Sequence, residues 1–130
     1  MIQEDYVSFE IAKQLKEKGF NTPLLTFYLT DKERKEGYFQ IMAFTDDVID
    51  NNHSSVCYLA PTLQMAMKWL RETYNIHIVL SPNKKMNNQY GSIIFVDKGG
   101  ELHPQPTDFF HGTYEQACEA AITYCLTKLL

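Results

Sequence analysis

The sequence predicts an α+β fold, in which three helices pack on an antiparallel sheet of about five to six short strands. Two patterns support this prediction. Three segments carry apolar residues at helical spacing, and the segments between them alternate apolar and polar residues as strands do. The predicted element order is α-β-β-α-β-β-β-α. Because the chain has 130 residues and no Gly-, Ser- or Pro-rich linker, we expect a single domain over residues 1–130.

The first helix is predicted from a capping residue and an apolar stripe. Ser8 is a suitable N-cap, and the stripe that follows it contains Ile11 and Leu15. Gly19 favours the left-handed conformation that ends many helices, and Phe20 is placed to pack back on Leu15 in a Schellman motif. The helix is therefore expected to end just before Gly19.

Two further helices follow the same logic. The second begins at Thr62, directly after Pro61, and continues to about Tyr74. The third begins at Thr113, which forms a capping box with Gln116. Its apolar stripe is the most regular in the chain and consists of Tyr114, Ala117, Cys118, Ala121, Ile122, Cys125 and Leu129.

Period-two alternation predicts the strands. They lie at residues 25–30, 38–44, 76–80, 90–96 and 101–103. A charged turn through Gly37 joins the first two strands, and Gly99-Gly100 closes a hairpin turn between the last two. Pro104 and Pro106 end the last strand early, which is typical of a sheet edge. Residues 45–55 form the longest predicted loop.

The three helix starts share one pattern. Residues 8–12, 62–66 and 113–117 each read as a hydroxyl cap, an apolar residue, Glu or Gln, any residue and Ala. Convergent capping explains the shared pattern, since hydroxyl caps and acidic or amide residues in the first turn are favoured at many helix starts. Duplication of a helix-plus-strands unit, closed by an extra helix, is the alternative interpretation. Capping is favoured because the strands show no matching residues.

Composition and charge exclude several classes of protein. The net charge is −4, which argues against general nucleic-acid binding. The longest apolar runs, such as residues 93–96, are too short to span a bilayer, and the acidic N-terminus lacks the features of a secretory signal. Cys118 and Cys125 are about two helical turns apart, too far for a disulfide. We therefore expect a cytoplasmic protein with buried thiols and no membrane contact.

Metal binding has one candidate constellation. His103, Asp108 and His111 bracket a Pro-containing loop, and two imidazoles and a carboxylate are suitable ligands for zinc or iron. Histidines beside Pro and Gly are more often ordinary loop residues, and no Cys-x-x-Cys pair supports a site. No Gly-rich nucleotide fingerprint occurs either. The sequence therefore predicts neither a metal nor another cofactor.

Two alternative functions stay open. A small enzyme would use Cys57 or His111 in a cleft, since a thiol near a helix N-terminus has a lowered pKa. No oxyanion turn flanks Cys57, so a buried structural cysteine is favoured and no catalytic residue is assigned. A nucleic-acid-associated accessory protein would use Lys84, Lys85 and Tyr90 on a hairpin.

Surplus apolar surface points to protein interactions instead. Met65 and Trp69 widen the apolar arc of the second helix, and both residue types are enriched at interfaces. Internal packing is the favoured alternative for a lone Trp. Phe109 and Phe110 form a second patch, or a hydrophobic staple for the third helix. The candidate partner-binding residues are Met65, Trp69, Tyr90, Phe109 and Phe110.

The helical blocks at residues 7–20, 60–72 and 113–122 resemble a family of short uncharacterised proteins carried by phages and mobile elements of Bacteroides-type gut bacteria. The resemblance covers most of the chain but contains no catalytic motif. It implies a cytoplasmic accessory protein of phage or mobile-element origin and transfers no functional residue. Together with the residues themselves, it predicts a non-catalytic interaction or binding module whose partner is another protein or a second copy of the chain.

Overall fold

A computed structural model of the chain describes residues 2–30, 38–41, 57–83, 85, 87, 89–106 and 110–130, with residues 38–41 described by backbone alone. These residues contain three α-helices and seven strands, so the α+β class is confirmed. They fall into two compact units, Met1–Thr62 and Leu63–Leu130. The strands form two antiparallel sheets, one in each unit, where the sequence predicted one sheet. The single-domain prediction stays a prediction.

The first unit is a small sheet with one helix. It contains α1 (Phe9–Glu17), β1 (Thr26–Leu29), β2 (Tyr38–Ile41) and β3 (Cys57–Leu59). The strand order is β2-β1-β3, so β1 is central and pairs with β3 through Phe27 and Leu59. The predicted turn through Gly37 and the loop at residues 45–55 lie outside the described residues. The core of this unit includes Val7, Ile11, Leu15, Phe20, Phe27 and Leu59.

Both predicted caps of α1 are confirmed. The Ser8 hydroxyl accepts a hydrogen bond from the Ile11 amide at 3.3 Å. At the other end, the Phe20 amide donates to the Leu15 carbonyl at 2.9 Å, and Gly19 has a φ of +94°. These are the bond and the left-handed residue of a Schellman motif. The helix is therefore delimited by residues within one turn of its ends.

We expect Ser8→Ala to lower the free energy of unfolding by about 1 kcal/mol, because it leaves the Ile11 amide without its capping acceptor. Ser8→Asp is the matched control, since its carboxylate restores an acceptor and suits the helix N-terminus. Urea denaturation measures both effects. Equal losses in the two variants would show that the cap contributes nothing.

The second unit carries the larger sheet. It contains α2 (Leu63–Tyr74), β4 (Ile76–Asn83), β5 (Gln89–Lys98), β6 (Glu101–Pro104), β7 (Phe110–His111), α3 (Tyr114–Tyr124) and a π-helical end at Cys125–Leu129. The strand order is β4-β5-β6, and β7 pairs with the other end of β5. In β4 and β5 the side chains of Ile76 and Ile94 are buried, whereas Val79 and Ile93 are exposed. The helices α2 and α3 therefore cover one face of this sheet.

The strand orders of the two units differ. In the first unit, the strand that follows the helix lies at the centre of its sheet, whereas in the second unit β4 lies at an edge. A duplicated helix-plus-strands unit would keep one strand order. The difference favours convergent capping as the reason for the similar helix starts.

The third helix begins as predicted but ends differently. The Gln116 amide donates to the Thr113 hydroxyl at 3.0 Å, which confirms the cap. The predicted stripe ended at Leu129, but Leu126 is buried instead and Leu129 is half-exposed. Both residues lie in the π-helical end at Cys125–Leu129, which the helical period of the sequence did not predict.

Candidate interaction surface

The face of the second sheet that α2 and α3 leave uncovered carries large apolar side chains. Residues that pair directly in an antiparallel ladder place their side chains on the same face. Val79 pairs with Ile93, and Gly91 pairs with Phe110. The exposed fractions of the three large side chains are 47% for Val79, 46% for Ile93 and 43% for Phe110. They share this face because Gly91 and Ile93 are two residues apart on β5.

The same surface continues onto β6. Leu102 pairs with Asp97 of β5, which places it on this face, and it is 56% exposed. Phe95, half-buried, lies between Ile93 and Asp97 in the alternation of β5. We call this surface the outer face. Its residues are Val79, Ile93, Phe95, Leu102 and Phe110.

The outer face has little charge. His77 is half-buried and pairs with Phe95, and Asp97 lies at the end of β5. The Asp97 carboxylate accepts a hydrogen bond from the Gly100 amide at 3.0 Å, so it stabilises the β5–β6 turn. A flat, nearly neutral apolar surface is suited to contact with another apolar protein surface rather than with a charged ligand.

Two of the predicted partner-binding residues lie on α2. Met65 is 37% exposed. Trp69 is half-buried, and its ring meets the Tyr74 ring edge to face at 5.3 Å between centroids. We call these two residues, Met65 and Trp69, the α2 shoulder. Trp69 is thus partly packed against its own helix, and Met65 is the more accessible of the pair.

The α2 shoulder lies on the side of α2 away from α3. Gln64 donates a hydrogen bond to the Tyr114 hydroxyl at 3.2 Å, and the Cys118 thiol lies 3.4 Å from the Met67 sulfur. These contacts fix which side of α2 meets α3. At about 100° per residue, Trp69 projects from the side of α2 opposite these contacts, and Met65 lies next to it, turned away from the buried residues of the helix.

The other predicted partner-binding residues have different surroundings. Tyr90 is half-buried, and its ring meets the Tyr114 ring at 5.8 Å, so it packs between the sheet and α3. Phe110 lies in β7 and is exposed on the outer face. The alternative prediction for this residue was a hydrophobic staple for the third helix. Phe109 lies outside the described residues. Whether any of these residues binds a partner stays a prediction.

Val79, Ile93 and Leu102 were not among the partner-binding residues predicted from the sequence. The sequence nevertheless contains a pattern that indicates them. Residues 93–96 are an unbroken apolar run, and residues 76–80 are interrupted by His77 alone. A strand with consecutive apolar residues has two apolar faces. Helices on one side of the sheet leave the second face exposed.

The residues of the enzyme alternative lie in different units. Cys57 belongs to β3 of the first unit, is buried, and lies in a strand rather than at a helix N-terminus. Its carbonyl oxygen accepts a hydrogen bond from the Lys16 ammonium at 2.8 Å. His111 belongs to β7 of the second unit and is half-buried. The enzyme alternative stays a prediction.

The two thiols of α3 are poor nucleophiles. Burial raises the pKa of Cys118 from 9.0 to about 12, and the negative charges of Glu119 and Glu115 act in the same direction. Burial likewise raises the pKa of Cys125 from 9.0 to about 12, against a small opposing effect of its backbone hydrogen bond. Since the thiolate is the reactive form, both side chains act as small apolar residues of the core.

The structure does not bring the candidate metal ligands together. His103 pairs with Val96 and His111 pairs with Tyr90, so the histidines are six positions of β5 apart, about 20 Å. Asp108 lies outside the described residues. In the part of the chain that the structure describes, no group of three or more His, Cys, Asp or Glu residues is placed to hold a metal ion.

Among the described residues, those predicted for nucleic-acid binding form no cluster. Lys85 is exposed, and its amide donates to the Asn83 side chain at 3.1 Å. Tyr90 packs on Tyr114, as above, and Lys84 lies outside the described residues. The net charge of −4 does not favour a phosphate-binding surface. The nucleic-acid alternative also stays a prediction.

One cavity lies at the end of the second sheet. It has a volume of about 290 Å³ and is lined by apolar groups together with the side chains of Tyr74, Lys98 and Gln105. Its lining residues include no His, Cys, Asp or Glu. The cavity therefore supports no catalytic assignment.

Comparison with known protein families, with curated proteins and with solved structures finds no match for this chain. Among the residues that the structure describes, no helix is long and apolar enough to cross a membrane.

Proposed function

We propose that this chain is a non-catalytic protein-interaction module and that the outer face of its second sheet is the docking surface. One observation carries the proposal. Val79, Ile93, Leu102 and Phe110 are all large, apolar and 43–56% exposed, and all four lie on one face. Contiguous apolar patches of this kind are frequently binding sites in soluble proteins.

The shape and chemistry of the outer face suit a protein partner. Its strands are about 4.8 Å apart and β5 is about 30 Å long, which gives a flat surface of a few hundred Å². Aliphatic side chains occupy its centre and Phe110 lies at one end. Covering such a surface stabilises a complex by about 25 cal/mol for each Å² of apolar area removed from water.

A cytoplasmic location and an origin in a phage or mobile element are part of the proposal. The three cysteines form no disulfide and are buried, as expected in a reducing compartment. The origin has its support in the resemblance of the helical blocks. A position among phage or transfer genes would support this origin, whereas a neighbourhood of housekeeping genes would contradict it.

Site-directed photo-cross-linking tests the docking surface. We expect Ile93→benzoylphenylalanine to give one discrete adduct on illumination of cells that produce the chain, because position 93 lies at the centre of the outer face. Glu72→benzoylphenylalanine is the control, since Glu72 is exposed on α2 but outside the outer face. An adduct of twice the chain mass would identify a second copy, and any other mass would identify a different protein.

A competition experiment tests whether the cross-linking is specific to the outer face. When a lysate of these cells is illuminated instead, an excess of purified wild-type chain is expected to suppress the adduct, whereas a folded Val79→Lys chain is expected not to. Equal adducts from positions 72 and 93, or none from position 93, would contradict the proposed docking surface. Circular dichroism checks that the Lys variant keeps its fold.

A further inference from the structure

The cavity at the end of the second sheet is built by the sheet and both helices of the second unit. Its lining residues all lie between Tyr74 and Leu130. Ile76 of β4 pairs with Val96 of β5 on the face that the helices cover, and these two residues form the floor of the cavity. Tyr74, at the end of α2, and Leu129, beyond the end of α3, form its walls.

One wall of the cavity has an unusual backbone. Leu129 belongs to the π-helical end at Cys125–Leu129, and it is half-exposed. Turns of this kind are rare, and they are found frequently at functional sites. The π-helical end is therefore a second feature, in addition to the cavity itself, that favours a ligand at this position.

The cavity is apolar at its floor and polar at its mouth. Ile76 is only 2% exposed, whereas Lys98 is exposed. A lysine that lines an apolar cavity keeps its methylene groups on the apolar surface and its ammonium in water. Gln105 adds a side-chain amide, whose nitrogen donates to the His103 carbonyl oxygen at 3.2 Å. An apolar interior with few polar groups is the usual composition of a small-molecule site.

The charge of Lys98 is available to a ligand. Among the described residues, no ion pair involves Lys98. Its partner in the strand register is Glu101, whose carboxylate lies 3.8 Å from Nε2 of His103. No Asp or Glu side chain lines the cavity. The mouth of the cavity is therefore suited to an anionic group.

We propose that this cavity binds a monocarboxylate with an unbranched apolar tail of medium length, the chemistry of a free medium-chain fatty acid. The tail contacts Ile76, Val96 and Leu129, and the carboxylate pairs with the Lys98 ammonium. A small-molecule site goes beyond the proposed function and does not depend on it, because the outer face lies on the opposite side of the sheet.

The volume of the cavity sets the length of the tail. One water molecule takes up about 30 Å³ of the liquid, so a volume of about 290 Å³ holds roughly ten groups of that size, as in a carboxylate of about eight carbons. The half-exposed side chains of Val96 and Leu129 lose contact with water when the tail covers them, which stabilises the complex. For so small a ligand we expect a dissociation constant on the order of 1 mM.

Titration of the full chain with sodium octanoate, followed by proton–nitrogen NMR, tests the proposal. We expect saturable shifts of the backbone amides of Val96, Lys98 and Gln105. The amides of Val79 and Phe110 are expected to stay unchanged, because their side chains lie on the outer face. The residues that respond thus show which side of the sheet holds the ligand.

Lys98→Met tests the role of the charge, because it keeps an apolar stem and removes the ammonium. We expect octanoate to bind roughly two- to fivefold more weakly, as for the loss of a solvent-exposed ion pair. Binding of 1-octanol, which has no charge to pair, is expected to stay unchanged. Lys85→Met is the matched control, since Lys85 is exposed but does not line the cavity.

Val96→Trp tests the apolar part of the site. The larger side chain fills the cavity and is expected to abolish the saturable shifts with both octanoate and 1-octanol. Val79→Trp introduces the same side chain on the outer face and is expected to leave both titrations unchanged. Circular dichroism checks that each variant keeps its fold.

Three results would overturn the proposal. Absence of saturable shifts at Val96, Lys98 and Gln105 would reject the site. Shifts confined to Val79 and Phe110 would move octanoate to the outer face, and the cross-linking test of that face would be unaffected. Equal octanoate affinity in the wild type and in Lys98→Met would reject the carboxylate as the recognised group.

Discussion

Leu70→Ala is expected to lower the free energy of unfolding by about 2–5 kcal/mol. Leu70 is fully buried at the centre of the apolar side of α2. Removing its branched end takes apolar area out of the core and leaves a cavity that the neighbouring helix and sheet cannot fill completely. Urea denaturation followed by circular dichroism measures the loss.

Glu72→Ala is the matched control for this prediction. Glu72 is exposed on the same helix, and its truncation is expected to change stability by less than about 0.5 kcal/mol. Equal effects of the two substitutions would mean that α2 does not form the core described above.

The same experiment tests the single-domain prediction. If the two units unfold together, the amides of α1 lose their protection at the urea concentration that unfolds α2, in the wild type and in Leu70→Ala alike. Separate transitions for α1 and α2 would make the single-domain prediction wrong.

Cys118 and Cys125 are expected to react with iodoacetamide roughly a thousandfold more slowly at pH 8 in the folded chain than in the unfolded chain. In the folded chain burial raises the pKa of both thiols from 9.0 to about 12, so the thiolate fraction falls by about that factor. Mass spectrometry of alkylated peptides measures each rate. Fast labelling of either cysteine in the native chain would contradict the packing of α3.

The raised pKa values also predict a pH dependence of stability. Since the unfolded thiols ionise near pH 9 and the folded ones near pH 12, the contribution of Cys118 and Cys125 is present below pH 9 and is lost between about pH 9 and 12. The wild type is expected to lose stability faster over this range than Cys118→Ala/Cys125→Ala. Parallel curves would contradict the assignment, because the two chains differ only at these thiols.

The helices were predictable because their determinants are local. A helix end is fixed by hydrogen bonds to residues within one turn. Ser8, Gly19 and Thr113 act at the positions where the sequence analysis placed them. The end of α3 was not predictable from its pattern, because the sequence does not mark the π-helical end, in which Leu126 is buried and Leu129 is half-exposed.

The pairing of the strands depends on residues far apart in the sequence. Alternation marks Phe27 as an inward residue of β1, but nothing near it specifies Leu59 of β3 as its partner. The same alternation fits one sheet or two, since register is chosen by which faces can be buried together. The two residues of β7 are too few to show any period.

The candidate surface was predictable only in part. Sequence periodicity identifies the apolar side of an element but not whether a second layer covers it. Phe110 and Met65 are exposed, as an interaction role requires, whereas Trp69 and Tyr90 make ring contacts inside the second unit. The outer face was identified only from the strand register, which places Val79 beside Ile93.

The two edges of the second sheet differ, and this difference bears on how far assembly can proceed. The edge opposite β4 is formed by two short strands, β6 and β7, and β6 ends at Pro104. Short strands and prolines are poor templates for further strand addition. The second sheet is therefore a poor template for strand addition on the side of β6 and β7, which disfavours fibre growth along that side.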